Sequence, residues 1–394
     1  MKDLDKYKGC LIGGAAGDAL GYPIEFFDEE YIFQKYGSNG ITEYELCDGV
    51  AQISDDTQMT LFTAVALLVN MTRLCTRGMA GPWQSMAAAC YHEWYRTQTE
   101  EYPIDLEDPY SWSWLLNIPE LFSRRAPGTT CLAAASELNI ATKDKASNNS
   151  KGCGGVMRTA PVGLYFGDSN RGEEEIDKLG ADIAALTHGH ELGYIPAAAL
   201  THIIMRIAHK EDSIRDAVQS AIDIIEKIYP QSKNATVLCR LLRRAIYLSK
   251  QDIDDLDAIH TLGRGWVAEE TMAIAAYCAL KYPDDFEKAI VAAVNHEGDS
   301  DSTGAVVGNI VGANVGLAGI PDKFKEKLEL YDVIMELAED LYNDCQISEY
   351  SEYQDDTWEC KYLYRCYPRI NKSQDYWKER MEEENKERGE NEDN

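Results

Sequence analysis

The chain has 394 residues, and 45% of them are hydrophobic, which is enough for a sizeable core. Its 67 acidic and 38 basic side chains give a net charge of −29, which argues against general binding to nucleic acids or membrane surfaces. The 11 cysteines are scattered without a C-x-x-C pair, so we expect free thiols in a reducing, cytoplasmic setting and no disulfide framework.

Helical periodicity recurs along most of the chain, and few segments show the alternation of a strand. The pattern therefore predicts an all-α fold, with 303–320 as a buried core helix. Three stretches, 28–54, 100–128 and 143–155, are predicted to be long connections. The other predicted helices are 11–20, 57–74, 83–95, 176–186, 196–207, 213–229, 235–248, 267–280, 289–294 and one that begins at Pro321–Asp322 and carries apolar residues to Leu341.

The first helix and the helix at 303–320 both carry a glycine at every fourth position. Such spacing lets two backbones lie unusually close, so we expect the two helices to pack together. For Asp18 we expect a packing role only. Glu25 stands among apolar neighbours that would raise its pKa, so we expect it to be functional. The glycines are Gly13, Gly17 and Gly21 in one helix and Gly304, Gly308, Gly312 and Gly316 in the other.

Two aspartate clusters precede apolar helices. Ser54-Asp55-Asp56-Thr57 has the composition of an acidic helix cap, but its two adjacent carboxylates repel one another unless a cation is bound. Gly298-Asp299-Ser300-Asp301-Ser302 offers several oxygen donors and no soft donor, which suits Mg²⁺ or Mn²⁺ better than Zn²⁺. Together the two clusters have what a two-metal site requires.

The loop between residues 150 and 155 is rich in glycine and could present amide groups to a pyrophosphate. Cys153 within it has no evident base nearby, so we favour a structural cysteine over a nucleophile. His188 follows a predicted helix and is either a helix cap or a ring that faces a ligand. The members of the loop are Ser150, Lys151, Gly152, Cys153, Gly154 and Gly155.

In their order along the chain, these motifs resemble those of the ADP-ribosylglycohydrolase family. The resemblance extends from about residue 6 to residue 340 and implies a catalytic domain over 1–345. The matching segments are Gly17-Asp18-Ala19-Leu20-Gly21, Glu25-Phe26, Ser54 to Gln58, Gly152 to Arg158, Thr187-His188, Gly265 to Glu270 and Asn295 to Ser302.

This resemblance implies a compact orthogonal helical bundle with a central cleft that holds two Mg²⁺ or Mn²⁺ ions. It also implies a hydrolase that removes ADP-ribose from a modified protein side chain or from a related small adduct. By position, Ser54, Asp55 and Asp56 would bind one ion, and Asp299, Asp301 and Ser302 the other, with Asp301 bridging. Glu25 would carry out acid–base catalysis. Residues 150–155 and His188 would hold the ADP-ribose, although many relatives have Asn at position 153.

Residues 346–394 are not covered by the resemblance and are predicted to form an acidic, aromatic appendage with a charged, disordered end. An isoprenoid-synthase-like enzyme is also helical and rich in aspartate, but the second cluster does not match the motif that it needs. A catalytically weak member that acts as an immunity or structural protein stays open as the alternative function. The motifs do not indicate the acceptor residue or the oligomeric state.

Overall fold

The computed structural model describes residues 2–104, 111–142 and 144–367. These residues form helices and turns, and they contain three isolated β-bridges but no β-strand. The predicted all-α class is therefore confirmed. The helices are α1 (Leu4–Gly21), α2 (Glu29–Tyr36), α3 (Asp55–Arg77), α4 (Trp83–Thr99), α5 (Thr129–Ala135), α6 (Ala160–Phe166), α7 (Glu173–Ala185), α8 (Glu191–Lys210), α9 (Ile214–Ile228), α10 (Lys233–Leu248), α11 (Asp255–His260), α12 (Ala268–Lys281), α13 (Phe286–Val294), α14 (Ser300–Val315), α15 (Tyr331–Asn343) and α16 (Asp356–Tyr362).

The helix predicted to run on from Pro321 is wrong, because the chain forms only a short turn there and α15 begins ten residues later, at Tyr331. The intervening residues make backbone hydrogen bonds to Ala51 instead: the Ala51 amide donates to the Lys327 carbonyl, and the Glu329 amide donates to the Ala51 carbonyl. Glu329 also forms a buried ion pair with Arg125. The apolar residues of this stretch have helical spacing, but these long-range contacts stabilise a non-helical backbone.

The helices α1 and α14 lie antiparallel with their glycines face to face. A Cβ atom added to Gly13 would overlap the carbonyl oxygen of Gly308, and one added to Gly17 would overlap that of Gly304. The same register brings Gly21 against the carbonyl of Ser300, at the first turn of α14. The predicted contact between the two glycine sets is therefore confirmed, and we call it the glycine seam.

The glycine seam brings the end of α1 next to the start of α14. The end of α1 leads into a short turn, Tyr22–Ile24, that carries Glu25, and this turn lies beside the start of α14. The helix α3 also begins there and then runs through the core. It is long and apolar enough to cross a membrane, but 72% of its most apolar window is buried inside the protein.

The segment after α15 packs back onto the helical body. Trp358 of α16 donates a hydrogen bond from Nε1 to the hydroxyl of Thr72 in α3 at 3.0 Å. Lys361, which is 2% exposed, pairs with Asp340 and with Glu336 of α15. Tyr367 stacks on Trp114 with ring centroids 4.6 Å apart.

Two cysteines of this segment, Cys360 and Cys366, form a disulfide, so the expectation of free thiols throughout is wrong for this pair. The other nine are free. The two cysteines are six residues apart in the sequence, and this spacing alone did not indicate a disulfide. The bond depends on α16 and the turn after it, which bring the two sulfurs together. The charged end predicted to be disordered lies outside the described residues, and the domain boundary at 345 stays a prediction.

Candidate active site

The first aspartate pair lies in the first turn of α3. Ser54 caps this helix, because its hydroxyl accepts a hydrogen bond from the Asp56 amide at 3.2 Å. Asp18 of α1 holds the same turn, since its carboxylate accepts from the amides of Ser54 and Thr57 at 3.0 and 3.1 Å and from the Thr57 hydroxyl. Burial raises the pKa of Asp18 to about 6, although these hydrogen bonds oppose the rise. Asp18 therefore positions Asp55 and its neighbour, a role that the sequence analysis missed.

The second aspartate cluster forms the first turn of α14. Asp299 caps the helix by accepting from the Ser302 amide at 3.2 Å, and Asp301 accepts from the same amide at 2.9 Å. The thiol of Cys153 lies 2.7 Å from a carboxylate oxygen of Asp299 and donates to it. Burial, followed by the charge of Asp299, raises the pKa of the Cys153 thiol well above its usual range. This thiol is therefore a protonated donor to Asp299, and the structural role expected for it stays a prediction.

Five carboxylates line one cavity of about 340 Å³ between these two helix starts: Glu25, Asp55, Asp56, Asp299 and Asp301. Oxygen atoms of Glu25, Asp299 and Asp301 lie within 4.8 Å of one another. Burial, and then repulsion by Asp299 and Asp55, raises the pKa of Glu25 to about 9. The raised pKa expected for Glu25 from its apolar neighbours is therefore confirmed, but like charges add to it.

The donor set fits a hard divalent cation. Among the described residues, Glu25 Oε2 and Asp56 Oδ1 are buried carboxylate oxygens without a hydrogen-bond partner. Burial, reinforced by neighbouring carboxylates, raises the pKa values of Asp55, Asp56 and Asp301 well above their usual range. A cation would relieve both the missing partners and the repulsion, and carboxylate oxygens are the ligands that Mg²⁺ and Mn²⁺ prefer.

The predicted metal ligands are not equally placed. The four aspartates and Ser302 line the cavity. Ser54 is fully buried, and its hydroxyl caps α3 while lying 3.4 Å from Asp56 Oδ2. The ligand roles implied for the aspartates and the two serines stay predictions, and Ser54, which caps α3, has a structural role in any case.

The glycine-rich loop forms one wall of the cavity, through Gly152, Cys153 and Gly154. A Cβ atom on Gly154 would lie 2.6 Å from the Cys131 sulfur and 3.1 Å from Cε1 of His188, so only glycine leaves room for these neighbours. Lys151 is not part of this wall, and its ammonium group forms an ion pair with Glu269.

Ser150 and Gly155 also stand back from the cavity. The Ser150 hydroxyl lies 3.2 Å from that of Thr130, which lines the cavity, and Gly155 packs against the Gly193 carbonyl. The structure therefore brings three of the six predicted loop residues to the cavity wall, where they meet His188. This histidine also lines the cavity, with its ring edge against the loop.

Two aromatic side chains at the cavity belong to matching segments of the sequence, which gave them no role. Phe26 is 70% exposed, Trp266 is 40% exposed, and their rings stack with centroids 5.9 Å apart at an interplanar angle of 22°. Phe26 directly follows Glu25, so the stack ties the turn that carries this acid to the segment before α12. The sequence shows that Phe26 adjoins Glu25, but it does not show that Phe26 contacts Trp266.

Comparison with known proteins adds to this geometry. The family model described as ADP-ribosylglycohydrolase matches residues 1–350. A relative from Archaeoglobus fulgidus, described as an uncharacterized protein, is 26% identical over 86% of this chain and 96% of its own length. ADP-ribosylhydrolase ARH3 of Danio rerio is 25% identical, over 86% of this chain and 90% of that one.

Two further matches extend the comparison. ADP-ribosylarginine hydrolase Tri1 of Pseudomonas putida is 24% identical over 86% of this chain and 78% of its own. The solved structure titled "ADP-ribosylglycohydrolase-related protein complex" superposes with a TM-score of 0.56, over 86% of this chain and 98% of that chain, at 22% identity. At this identity the superposition establishes a shared fold.

Proposed function

The chain belongs to the ADP-ribosylglycohydrolase family, whose enzymes act on glycosyl bonds, and from this premise we propose that it hydrolyses the bond between ADP-ribose and a protein side chain or a related adduct. The observation that carries the proposal is the convergence of five buried carboxylates on one cavity that also has a glycine-rich wall. Relatives named for ADP-ribosyl hydrolysis support it. We further propose a cytoplasmic location.

The carboxylates would hold two divalent cations, Mg²⁺ or Mn²⁺. Asp55 and Asp56 of α3 would bind one ion, and Asp299 and Asp301 of α14 would bind the other. Bound at this place, such ions supply positive charge for ribose hydroxyls and lower the pKa of a coordinated water. The protein contributes the rigid spacing of the two helix starts, which the glycine seam and Asp18 fix.

Glu25 is the residue suited to proton transfer. Hydrolysis breaks the bond from the anomeric carbon to the acceptor atom, the oxygen of water joins that carbon, and the acceptor atom leaves with a proton. Without a bound cation, burial and the neighbouring carboxylates raise the pKa of Glu25 to about 9, so its carboxyl then holds a proton at neutral pH, and its Oε2 has no hydrogen-bond partner. In its protonated form it can give a proton to the leaving atom, and in its ionised form it can take one from water, as carboxyl groups do in glycosidases.

The glycine-rich wall of the cavity would hold the rest of the ADP-ribose. Gly152 and Gly154 allow a ligand to approach the backbone closely, and His188 borders the same wall. The exposed stack of Phe26 and Trp266 lies beside Glu25 and would limit which acceptor groups can reach it. In this proposal the carboxylates serve bond cleavage and the glycine-rich wall serves the nucleotide.

A direct assay tests the proposal. The protein is incubated with Mg²⁺ and with arginine-, serine- or nucleotide-linked ADP-ribose, and free ADP-ribose is measured by chromatography. We expect release from at least one substrate and none after chelation of the metal. Asp301→Ala, checked for helicity by circular dichroism, is the matched inactive control. Tight binding of ADP-ribose without release from any substrate would instead support a catalytically weak, binding member of the family.

A further inference from the structure

Arg158 is a fully buried guanidinium without an ion-pair partner among the described residues. Its NH2 donates to the hydroxyl of Thr187, and its NH1 lies 3.1 Å from the sulfur of Met59. The guanidinium carbon Cζ lies 4.4 Å from the ring centroid of Tyr91, and Nε has no hydrogen-bond partner. Burying a charge without a carboxylate partner costs free energy. The hydrogen bond to Thr187 is therefore one of the few contacts that can offset the burial of Arg158.

That contact determines the direction of the next hydrogen bond. A guanidinium can only donate, so a lone pair of the Thr187 oxygen is occupied by Arg158. The hydroxyl proton is then free for either His188 Nδ1, at 2.8 Å, or the Ala184 carbonyl, at 3.4 Å. The shorter contact is the better hydrogen bond. In this arrangement Nδ1 of His188 accepts, and the ring proton resides on Nε2.

The Nε2 edge of His188 is the edge that faces the glycine-rich wall. A Cβ atom on Gly152 would lie 3.3 Å from Nε2. Burial, together with the charge of Arg158, lowers the pKa of His188 to about 3. The ring is therefore neutral at physiological pH, and a neutral histidine has one donor and one acceptor whose positions are set by its partner.

We propose that Arg158, acting through Thr187, fixes the proton of His188 on Nε2, so that the ring presents a constant hydrogen-bond donor to the cavity. Arg158 and Thr187 are positioning residues in this scheme. The donor favours a ligand that presents an acceptor, such as a phosphate or hydroxyl oxygen, at the glycine-rich wall. The inference rests on the proposed function only for the identity of that ligand.

The tautomer can be measured without any activity. Long-range ¹H–¹⁵N NMR spectra of histidine-labelled protein at pH 7 distinguish a protonated Nε2 from a protonated Nδ1. The chain has seven histidines, and His188→Gln assigns the relevant signals by their loss. We expect a single tautomer with the proton on Nε2. A proton on Nδ1, or a doubly protonated ring, would overturn the proposal.

Two substitutions test the path from Arg158 to the ring. Thr187→Val removes the hydroxyl with little change in shape, so we expect the ring to populate both tautomers. Thr187→Ser restores a hydroxyl and should restore the single tautomer. If Thr187→Val keeps the wild-type spectrum, the hydroxyl does not set the ring. Arg158→Met removes the donor to Thr187, and a wild-type spectrum in this variant would overturn the role of Arg158. If it does not fold, the contrast between Thr187→Val and Thr187→Ser decides whether the hydroxyl sets the ring.

Binding of ADP-ribose, measured by calorimetry in the presence of Mg²⁺, tests the consequence for the ligand. We expect Thr187→Val to weaken binding about tenfold, the scale of one hydrogen bond, and Thr187→Ser to lie within about twofold of wild type. Unchanged affinity in Thr187→Val would overturn the role in ligand selection. If the wild-type protein has the expected tautomer and neither binds nor hydrolyses any ADP-ribosyl compound, the proposed function fails while the role of Arg158 stands.

Discussion

At the scale of single residues, the cavity concentrates carboxylates that burial and mutual repulsion make reluctant to ionise. The pKa of Glu25 rises from 4.5 to about 9 and that of Asp18 from 3.8 to about 6, with burial as the largest cause of both. In metal-free protein, the folded state therefore retains protons that the unfolded chain loses. Between about pH 4.5 and 9, the unfolding free energy contributed by Glu25 falls as the pH rises.

The first prediction concerns pH and metal together. Cations bind the ionised carboxylates and displace protons, so their stabilising effect should grow as the pH rises. We expect the increase in melting temperature on adding Mg²⁺ to be larger at pH 8 than at pH 6. Scanning calorimetry at both values, with chelator as the reference, measures it. A shift that shrinks with rising pH would contradict the placement of the metal on these carboxylates.

The second prediction separates catalysis from folding. Asp55→Ala or Asp301→Ala should abolish hydrolysis, because each removes a proposed metal ligand. Both variants should remain folded, and in chelator they should be no less stable than wild type, since each also relieves repulsion among buried carboxylates. Circular dichroism and the assay for free ADP-ribose test the two parts. Full activity in either variant would exclude the two-metal mechanism.

The third prediction concerns Glu25. Glu25→Gln keeps the size of the side chain and removes its ionisable carboxyl group. We therefore expect kcat to fall about 10²-fold or more, while the affinity for ADP-ribose is largely retained. Glu30→Gln, a nearby exposed carboxylate, is the matched control and should leave both quantities unchanged. A loss of affinity with normal turnover would make Glu25 a binding residue.

The sequence indicated the carboxylates of the cavity better than the contacts that hold them in place. Asp55 and Asp301 could be found because adjacent acids at helix starts are a local pattern that repulsion makes conspicuous. Asp18 was assigned to packing, because its hydrogen bonds to residues 54 and 57 depend on how α1 meets α3. The stack of Phe26 on Trp266 was missed for the same reason: it joins segments that only the fold brings together.

At the scale of elements, the glycine seam is the contact on which the site depends most directly. Its spacing was readable from the sequence, since glycines at every fourth position line one face of a helix. The sequence did not give the register that sets Gly21 against Ser300. Residues 322–330 show the opposite case, because their helical pattern gives way to backbone hydrogen bonds with Ala51, and the helix begins only at Tyr331. Local periodicity predicts an element, and tertiary contacts decide where it ends.

The fourth prediction tests the seam. Gly308→Leu places a side chain where the Gly13 carbonyl lies, so the two helices must separate, at a cost of at least about 1–3 kcal/mol in unfolding free energy. Metal affinity should fall with it, because Asp299 and Asp301 move with α14. Denaturant unfolding and metal titration measure the two effects. Gly172→Leu, where a Cβ atom meets nothing within 4 Å, is the control and should change neither.

At the scale of the whole molecule, the segment after residue 345 forms a buried contact with the helical body. Lys361 is 2% exposed and pairs with Asp340 and Glu336. The sequence predicted an acidic, aromatic appendage here, and two of its aromatic residues, Trp358 and Tyr362, belong to the buried core. The partner helix could not be predicted, because an isolated aromatic pattern does not specify the surface that it covers.

The fifth prediction uses that lysine. Lys361→Met leaves the carboxylate of Asp340 buried beside the hydroxyl of Tyr362 without its cation, which typically costs about 3–5 kcal/mol in unfolding free energy. The double variant Lys361→Met/Asp340→Leu should recover much of this loss, because it removes the unpaired charge as well. Thermal unfolding of the three proteins measures it. Metal affinity should stay at the wild-type value, since the pair lies outside the cavity; a parallel loss would link this segment to the site.

The glycine seam also has a consequence for the order in which the protein folds. It joins Gly13 to Gly308, so one of the closest helix contacts in the molecule is also one of the most distant along the chain. Contacts of this kind form slowly, because most of the polypeptide must already be arranged before the two helices can meet. On the ribosome, α1 is made first and must wait for α14 to emerge. The full set of carboxylates therefore assembles only near the end of folding, and a cation that needs both helix starts cannot act as an early template for the fold.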